Sequence, residues 1–308
     1  MRISTAETWN SALLNLQAAQ QRQQDANNQV STQKVATDLM GYGRSSEVIA
    51  AYQTTLSRTN SYIDINKTVS DRLDSQDLAL QNTSQAASDA KDSVMNALAS
   101  GSGSALMESI QGNFATALDG LNYQHNGQYL FGGGNDNTAP VTTGTLSQLA
   151  AAPSIDGVFA NGTVKKTSRL DANTTIQTGM LASDLGKAMM QTFQDIVKYN
   201  NDPATGPFGD QLTDDQKTFL TQKQQEFSAE YDQLVEQTSL NGTMQNRVTN
   251  SQTSLQGQAD SLSGLIGDRT DADMSKAYSD LQQAQVAVQA SAQVLAGLNT
   301  TSLLNLLK

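Results

Sequence analysis

The sequence predicts a mainly α protein: a long antiparallel helical bundle or coiled-coil rod, with terminal helices and a small inserted β-containing module. All four prolines of the 308-residue chain lie at positions 140 to 207, so both ends lack the strongest helix breaker. Aromatic residues make up only 5% of the chain, which argues against two large globular cores. We therefore expect the apolar residues to be distributed along helical seams.

The first long helix is predicted from Ser45 to about Ser100. Its apolar stripe has steps of three or four residues and includes polar interruptions: Val69, Leu73, Gln76, Leu80, Thr83, Ala87, Ala90 and Val94. The Gly/Ser-rich stretch at 100–104 predicts a loop. A second, shorter helix follows and ends before Asn126-Gly127; its stripe is Leu106, Ile110, Phe114, Ala117 and Leu121.

A change of composition marks the inserted module, because residues 127–183 are rich in Gly and Thr and hold two of the prolines. The stretch 158–164 predicts a hairpin turning on Asn161-Gly162, and 174–178 predicts a short strand. We therefore interpret this region as a β-containing module between two helical arms.

The second helical arm carries the most regular pattern in the chain. Helical spacing resumes at Leu185 and is interrupted by the loop with Pro203 and Pro207, and Thr213-Asp-Asp-Gln216 fits a capping box. Seven residues then fall seven apart: Leu220, Phe227, Leu234, Asn241, Val248, Leu255 and Leu262. This register predicts one helix of about 45–50 residues, roughly 70 Å long.

Both chain ends carry further apolar stripes. The C-terminal stripe is Met274, Ala277, Leu281, Ala284, Val288, Ser291, Leu295 and Leu298, followed by Leu303-Leu-Asn-Leu-Leu307; the weaker N-terminal one is Trp9, Leu13, Leu16 and Val30. We expect the two stripes to bury each other, in the same or in neighbouring subunits, and we favour burial between subunits because both ends are nearly neutral. The candidate self-assembly residues are Trp9, Leu13, Leu16, Leu281, Val288, Leu295, Leu298 and Leu303.

The residues that enzymes use are sparse. The chain has no Cys and one His, His125, which lies beside a predicted turn, and we interpret it as a surface or packing residue. No zinc, phosphate-loop or dinucleotide motif is present, so we predict no enzyme activity, no metal and no cofactor. Asp268-Arg-Thr-Asp271-Ala-Asp273 lacks the Gly and Glu of a calcium loop, and Asp271 and Asp273 fit helix caps instead.

Charge and hydropathy exclude two classes of partner. The net charge is −11 and no basic patch is present, which argues against nucleic-acid binding. No apolar run approaches the roughly 18 residues of a membrane span, so we predict no membrane insertion. The first residues lack the apolar core of a signal peptide, and we expect no cleaved secretion signal.

Several motifs together resemble the bacterial flagellin superfamily, and within it the branch at the hook-filament junction. The motifs are the opening Met1-Arg-Ile-Ser-Thr, the stretch Gly127-Gln-Tyr-Leu-Phe-Gly-Gly133, and an ending that runs from Asp271-Ala-Asp-Met-Ser-Lys-Ala-Tyr to Leu303-Leu-Asn-Leu-Leu307. One segment departs from the family pattern. Ser31-Thr-Gln-Lys-Val35 leads into Gly41-Tyr-Gly-Arg-Ser-Ser-Glu47, where the family has a Ser-Gly-Lys-Arg stretch leading to a Pro-Ser-Asp-Asp-Pro type segment.

The resemblance implies a non-enzymatic structural subunit that joins hook to filament by self-assembly. It implies export without a cleaved signal, an extracellular location on the flagellum, and as partners further copies of the chain, the hook-side junction protein, flagellin and an export chaperone. It also implies three parts: an inner-core domain of residues 1–44 and 267–308, a rod of 45–131 and 181–266, and an outer module of 132–180. The alternatives are a filament-forming flagellin and a helical surface-binding protein or adhesin with the Thr-rich module as its ligand site.

Overall fold

The computed structural model describes the backbone of residues 2–306 and the side chains of residues 7–298. Helices account for 74% of the chain, which confirms the predicted mainly α fold class. The α-helices are α1 (Arg2–Thr32), α2 (Ser46–Ser100), α3 (Leu106–Leu121), α4 (Leu146–Ala151), α5 (Ala182–Asn201), α6 (Asp214–Thr270) and α7 (Met274–Leu306), and two short 3-10 helices are Met40–Ser45 and Asp156–Val158. Two small antiparallel sheets pair β1 (Gln124–His125) with β2 (Gln128–Tyr129), and β3 (Thr167–Arg169) with β4 (Thr175–Gln177).

The chain forms two compact units. One consists of residues 1–59 and 257–308, and the other of residues 60–256. The long helices α2 and α6 each contribute to both units. The boundaries of the three-part division stay a prediction.

The unit of residues 60–256 is built on antiparallel packing of α2 against α6. Every residue of the predicted α2 stripe is buried, and so are the six heptad residues of α6 from Leu220 to Leu255. The capping box also forms, because Thr213 Oγ1 accepts from the Gln216 N–H at 3.2 Å while Gln216 Oε1 accepts from the Thr213 N–H at 3.1 Å. The helix that begins there has 57 residues and is longer than predicted.

Three of the few aromatic residues form the centre of this unit. The rings of Phe114 on α3 and Phe193 on α5 meet edge to face with centroids 5.7 Å apart, and Phe193 lies 5.0 Å from Phe227 of α6. Gly120 allows α3 to approach α2, because a Cβ there would stand 3.0 Å from the Ala79 carbonyl oxygen. Large side chains are therefore concentrated where three helices meet. The α2 stripe contributes smaller side chains to this core, such as Ala87 and Ala90.

The inserted module differs in part from its prediction. Strand β4 confirms the strand predicted at 174–178. The hairpin predicted on Asn161-Gly162 is wrong, because Phe159 bridges to Val141 and the Gly162 N–H donates to the Gly132 carbonyl at 2.9 Å. The Asn161 side chain binds Ser183 of α5 through two hydrogen bonds of 3.1 Å. These tertiary contacts override the local turn preference.

Candidate assembly surface

The terminal helices α1 and α7 pack antiparallel against each other within one chain. Small residues line the contact: Ala12, Ala19 and Ala26 of α1 and Ala277 and Ala284 of α7 are all buried. The three α1 alanines are seven residues apart, so one face of the helix approaches α7 over its length. Small side chains at a helix contact allow the two backbones to come close together.

Larger residues flank this alanine line. Six of the candidate self-assembly residues are half-buried: Trp9 and Leu16 of α1, and Leu281, Val288, Leu295 and Leu298 of α7. The structure therefore pairs the two predicted stripes with each other in the same chain. Each of them keeps some exposed area that a neighbouring copy could cover. Burial of these residues between copies stays a prediction. Leu303 lies in the part of α7 whose side chains are outside the described residues.

A second set of apolar residues points away from the α1–α7 contact. Leu13 and Leu14 of α1 are 46% and 64% exposed, and Val286 and Val294 of α7 are 65% and 56% exposed. We call these four residues the outer face. Of the four, only Leu13 belongs to a stripe predicted from the sequence, since the others lie outside the stripes. Large apolar side chains this exposed leave apolar area that another molecule could cover.

The connection at one end of the helix pair is fixed by hydrogen bonds. The Val35 N–H donates to the Thr270 carbonyl at 2.8 Å, and the Ala272 N–H donates to the Gln33 carbonyl at 2.9 Å. The Lys34 ammonium donates to the Asp271 carboxylate, and this bond, with a second one from Thr270, holds the pKa of Asp271 below its usual range. The chain segments that leave α1 and enter α7 are thus tied to each other.

Asp273 caps the start of α7, as predicted, whereas Asp271 has another role. The Asp273 carboxylate accepts from the Lys276 N–H at 3.1 Å, which satisfies one of the free N–H groups of the first turn. Asp271 instead binds Lys34 across the connection. Sequence spacing could place both residues near the helix start but could not reveal the partner from α1.

A groove of about 360 Å³ lies between α1 and α7. Its floor is formed by Ala26, Ala284 and Ala287, and its rim carries Arg22, Asp25 and Asp280. The groove follows from the alanines, whose side chains leave the space between the two helices unfilled.

The segment after α1 exposes further apolar side chains. Met40 is 87% exposed, and Val35 and Leu39 are 45% and 43% exposed. The loop that carries them is ordered by its own bonds, since the Tyr42 hydroxyl donates to the Ala36 carbonyl at 2.7 Å and the Gly41 N–H to Asp38 at 2.9 Å. These residues lie between the predicted helices and outside their apolar stripes, so the stripes do not identify them.

His125 is hydrogen-bonded on both ring nitrogens and has a structural role. Its Nε2 accepts from the Asn126 amide at 3.0 Å, so Nδ1 carries the proton and donates to Ser75 Oγ at 2.8 Å. Ser75 in turn donates to the Asp71 carbonyl at 3.0 Å. The serine proton therefore points away from the imidazole, opposite to the direction that base-assisted nucleophilic attack requires.

Two features are absent from the described part of the chain. No group of three or more His, Cys, Asp or Glu side chains is close enough to hold a metal ion. None of the described helices is long and apolar enough to cross a membrane.

Comparison with known proteins gives one match to a family and several to solved structures. Residues 227–307 match the bacterial flagellin C-terminal helical region, which confirms the predicted resemblance for this part of the chain. The non-enzymatic, structural class predicted from the sequence agrees with that match. No curated protein matches the chain.

The fold is similar to two solved structures of low sequence identity. A protein assigned as a flagellar hook-associated protein from Vibrio parahaemolyticus is 13% identical, with a TM-score of 0.60 over 73% of this chain and 97% of that one. Bacillus cereus FlgL is 17% identical, with a TM-score of 0.53 over 70% of this chain and 97% of that one. The chain thus has the fold of these proteins over almost their whole length.

Proposed function

We propose that this protein is a structural subunit of the bacterial flagellum that joins hook to filament, the role of hook-associated protein 3. The observation that carries the proposal is the agreement of two independent comparisons. The C-terminal helices match a flagellin region, and two solved structures with this fold bear hook-associated or FlgL names. Both comparisons support a flagellar component.

Self-assembly through the terminal helices is the mechanism that the geometry supports best. The α1–α7 contact holds the two helices together within a copy and leaves the outer-face residues Leu13, Leu14, Val286 and Val294 available to a neighbouring copy. Full burial of a Leu or Val side chain contributes about 1.5–3 kcal/mol. Six half-buried residues add to the surface that neighbouring copies would cover: Trp9, Leu16, Leu281, Val288, Leu295 and Leu298.

The role implies further partners and a location. We propose that the protein is exported to the flagellum outside the cell, contacts a hook-side junction protein and flagellin, and is held before export by a chaperone. The exposed residues Val35, Leu39 and Met40 of the segment after α1 extend the surface available to such contacts.

Deletion of the gene tests the junction role. Cells that lack the protein are expected to retain hooks, to lose filaments and to release flagellin into the medium. Immunogold labelling of wild-type cells is expected to mark one ring at the end of the hook. Normal filaments in the deletion strain would contradict the proposal.

A filament-forming flagellin is the second candidate. It is favoured by the match of residues 227–307, since that region takes its name from flagellin itself. The two candidates differ in the labelling experiment, because a filament subunit would be marked along the whole filament.

A further inference from the structure

The chain contains three Asn-Gly dipeptides, at Asn126, Asn161 and Asn241, and the structure places them in very different surroundings. We propose that Asn126 is a site of spontaneous covalent modification, in which the amide is converted to aspartate and isoaspartate, while Asn161 and Asn241 are protected by the fold.

The chemistry requires only the chain and water. The backbone nitrogen of the following glycine attacks Cγ of the asparagine, a new C–N bond forms, and the Cγ–Nδ2 bond breaks. The glycine N–H proton ends on the departing group, which leaves as ammonia, and a succinimide remains. Water then opens either carbonyl of this ring and produces aspartate or isoaspartate. Glycine favours the reaction because it has no side chain to hinder the attack.

The turn at Asn126 leaves the reacting groups accessible. Both central residues have positive φ, 51° for Asn126 and 77° for Gly127, as in the type I′ turn of a two-residue hairpin. Both residues are exposed, and the Gly127 N–H lies outside the pairing between His125 and Gln128. The Asn126 amide nitrogen is hydrogen-bonded to His125 Nε2, a neighbour in the same exposed hairpin, at 3.0 Å. A Cβ built on Gly127 would meet nothing within 4 Å, so the site is sterically open.

Asn161 is held at both ends of its amide. Its Nδ2 donates to Ser183 Oγ and its Oδ1 accepts from the Ser183 N–H, both at 3.1 Å. The attacking nitrogen is also engaged, because the Gly162 N–H donates to the Gly132 carbonyl at 2.9 Å.

Asn241 is protected by burial. It lies inside α6 with no exposed surface, donates to the Leu73 carbonyl at 2.9 Å and accepts from Gln76 at 3.0 Å. Reaction there requires the helix pair to open first. Each 1.4 kcal/mol of opening free energy slows the reaction by about tenfold.

The test is to age the folded, full-length protein in mildly alkaline buffer and to follow each Asn-Gly peptide by mass spectrometry. Asn126 is expected to convert at least about tenfold faster than Asn161 or Asn241, because the two others must open locally before they can react. The matched control is the same protein in denaturant, where the three sites are expected to convert at similar rates. Gly127→Ala should slow conversion at Asn126 and leave the other two sites unchanged.

Two results would overturn the proposal. Equal rates at the three sites in the folded protein would show that the fold does not discriminate between them. Conversion of Asn126 in denaturant but not in the folded protein would show that the turn protects the amide. Neither result bears on the flagellar role, because the readout is chemical and does not require assembly.

Discussion

Gln76 and Asn241 are hydrogen-bonded to each other inside the α2–α6 pair, with 3.0 Å between Gln76 Nε2 and Asn241 Oδ1 and no exposed surface on either residue. Each is a polar interruption of a mainly apolar stripe, Gln76 on α2 and Asn241 on α6. The Asn241 amide also donates to the Leu73 carbonyl at 2.9 Å. A second polar pair, Asn66 with Ser251 at 3.2 Å, lies ten residues away on each helix and has the same register.

Replacement of one member of the Gln76–Asn241 pair is expected to cost more than replacement of both. Gln76→Leu or Asn241→Leu alone leaves a buried polar group without its partner and should lower the free energy of unfolding by about 1–3 kcal/mol. The double variant should be close to wild type or more stable, because it removes both desolvated groups. Urea unfolding measures the difference. The exposed Gln225→Leu is the control, and single variants as stable as the double variant would contradict the argument.

A charge on the outer face should block assembly without unfolding the protein. Val286 is 65% exposed, so Val286→Asp is expected to change the free energy of unfolding by less than about 0.5 kcal/mol. It should still prevent incorporation at the hook end, because the carboxylate would be desolvated between copies. Gln289→Asp introduces the same charge at a nearby exposed position of α7 and should assemble normally. Equal assembly of the two variants would show that Val286 is outside the interface.

Removal of residues 275–308 is expected to abolish assembly while leaving the unit of residues 60–256 folded. Without α7, the apolar face of α1 loses its partner, and a single helix of this kind is marginal in water. Circular dichroism should show the loss of part of the helix signal, and urea unfolding should retain the transition of the larger unit. A truncated protein that restores filament growth in a deletion strain would be inconsistent with this prediction.

Glu230 should make stability depend on pH. Burial, followed by the nearby Glu226 carboxylate, raises the pKa of Glu230 above its ordinary value. A raised pKa in the folded state means that Glu230 favours folding when protonated, and that this contribution is lost as pH rises through the folded pKa. Glu230→Gln is therefore expected to increase the free energy of unfolding at about pH 8 and to give little gain below about pH 4. The exposed Glu236→Gln is the control, and a gain independent of pH would contradict this assignment.

The long helices could be predicted because their information is local. The seven-residue spacing from Leu220 to Leu255 appears as a buried line on α6, and the Thr213–Gln216 capping box forms as its sequence indicates. The hairpin predicted at Asn161 fails for the opposite reason. Ser183, 22 residues further along the chain, engages the Asn161 amide, and no local pattern reports such a contact.

The candidate surface was predicted only in part. Periodicity identified the stripes on α1 and α7, and the structure pairs them through Ala12, Ala19 and Ala26. Leu14 and Val286, which are more exposed than any stripe residue whose side chain the structure describes, could not be found in this way. Their importance depends on which face of each helix the partner helix already occupies.

The sequence by itself determined that the protein is helical, where its longest helices run, and that both ends carry apolar faces, because a period of three to four residues and the absence of proline act within a few turns of one helix. The tertiary structure decided which faces meet, that Gln76 finds Asn241, and which apolar residues stay uncovered. Periodicity indicates that one face of a helix is apolar and will be buried. Which surface buries that face depends on residues far away in the chain.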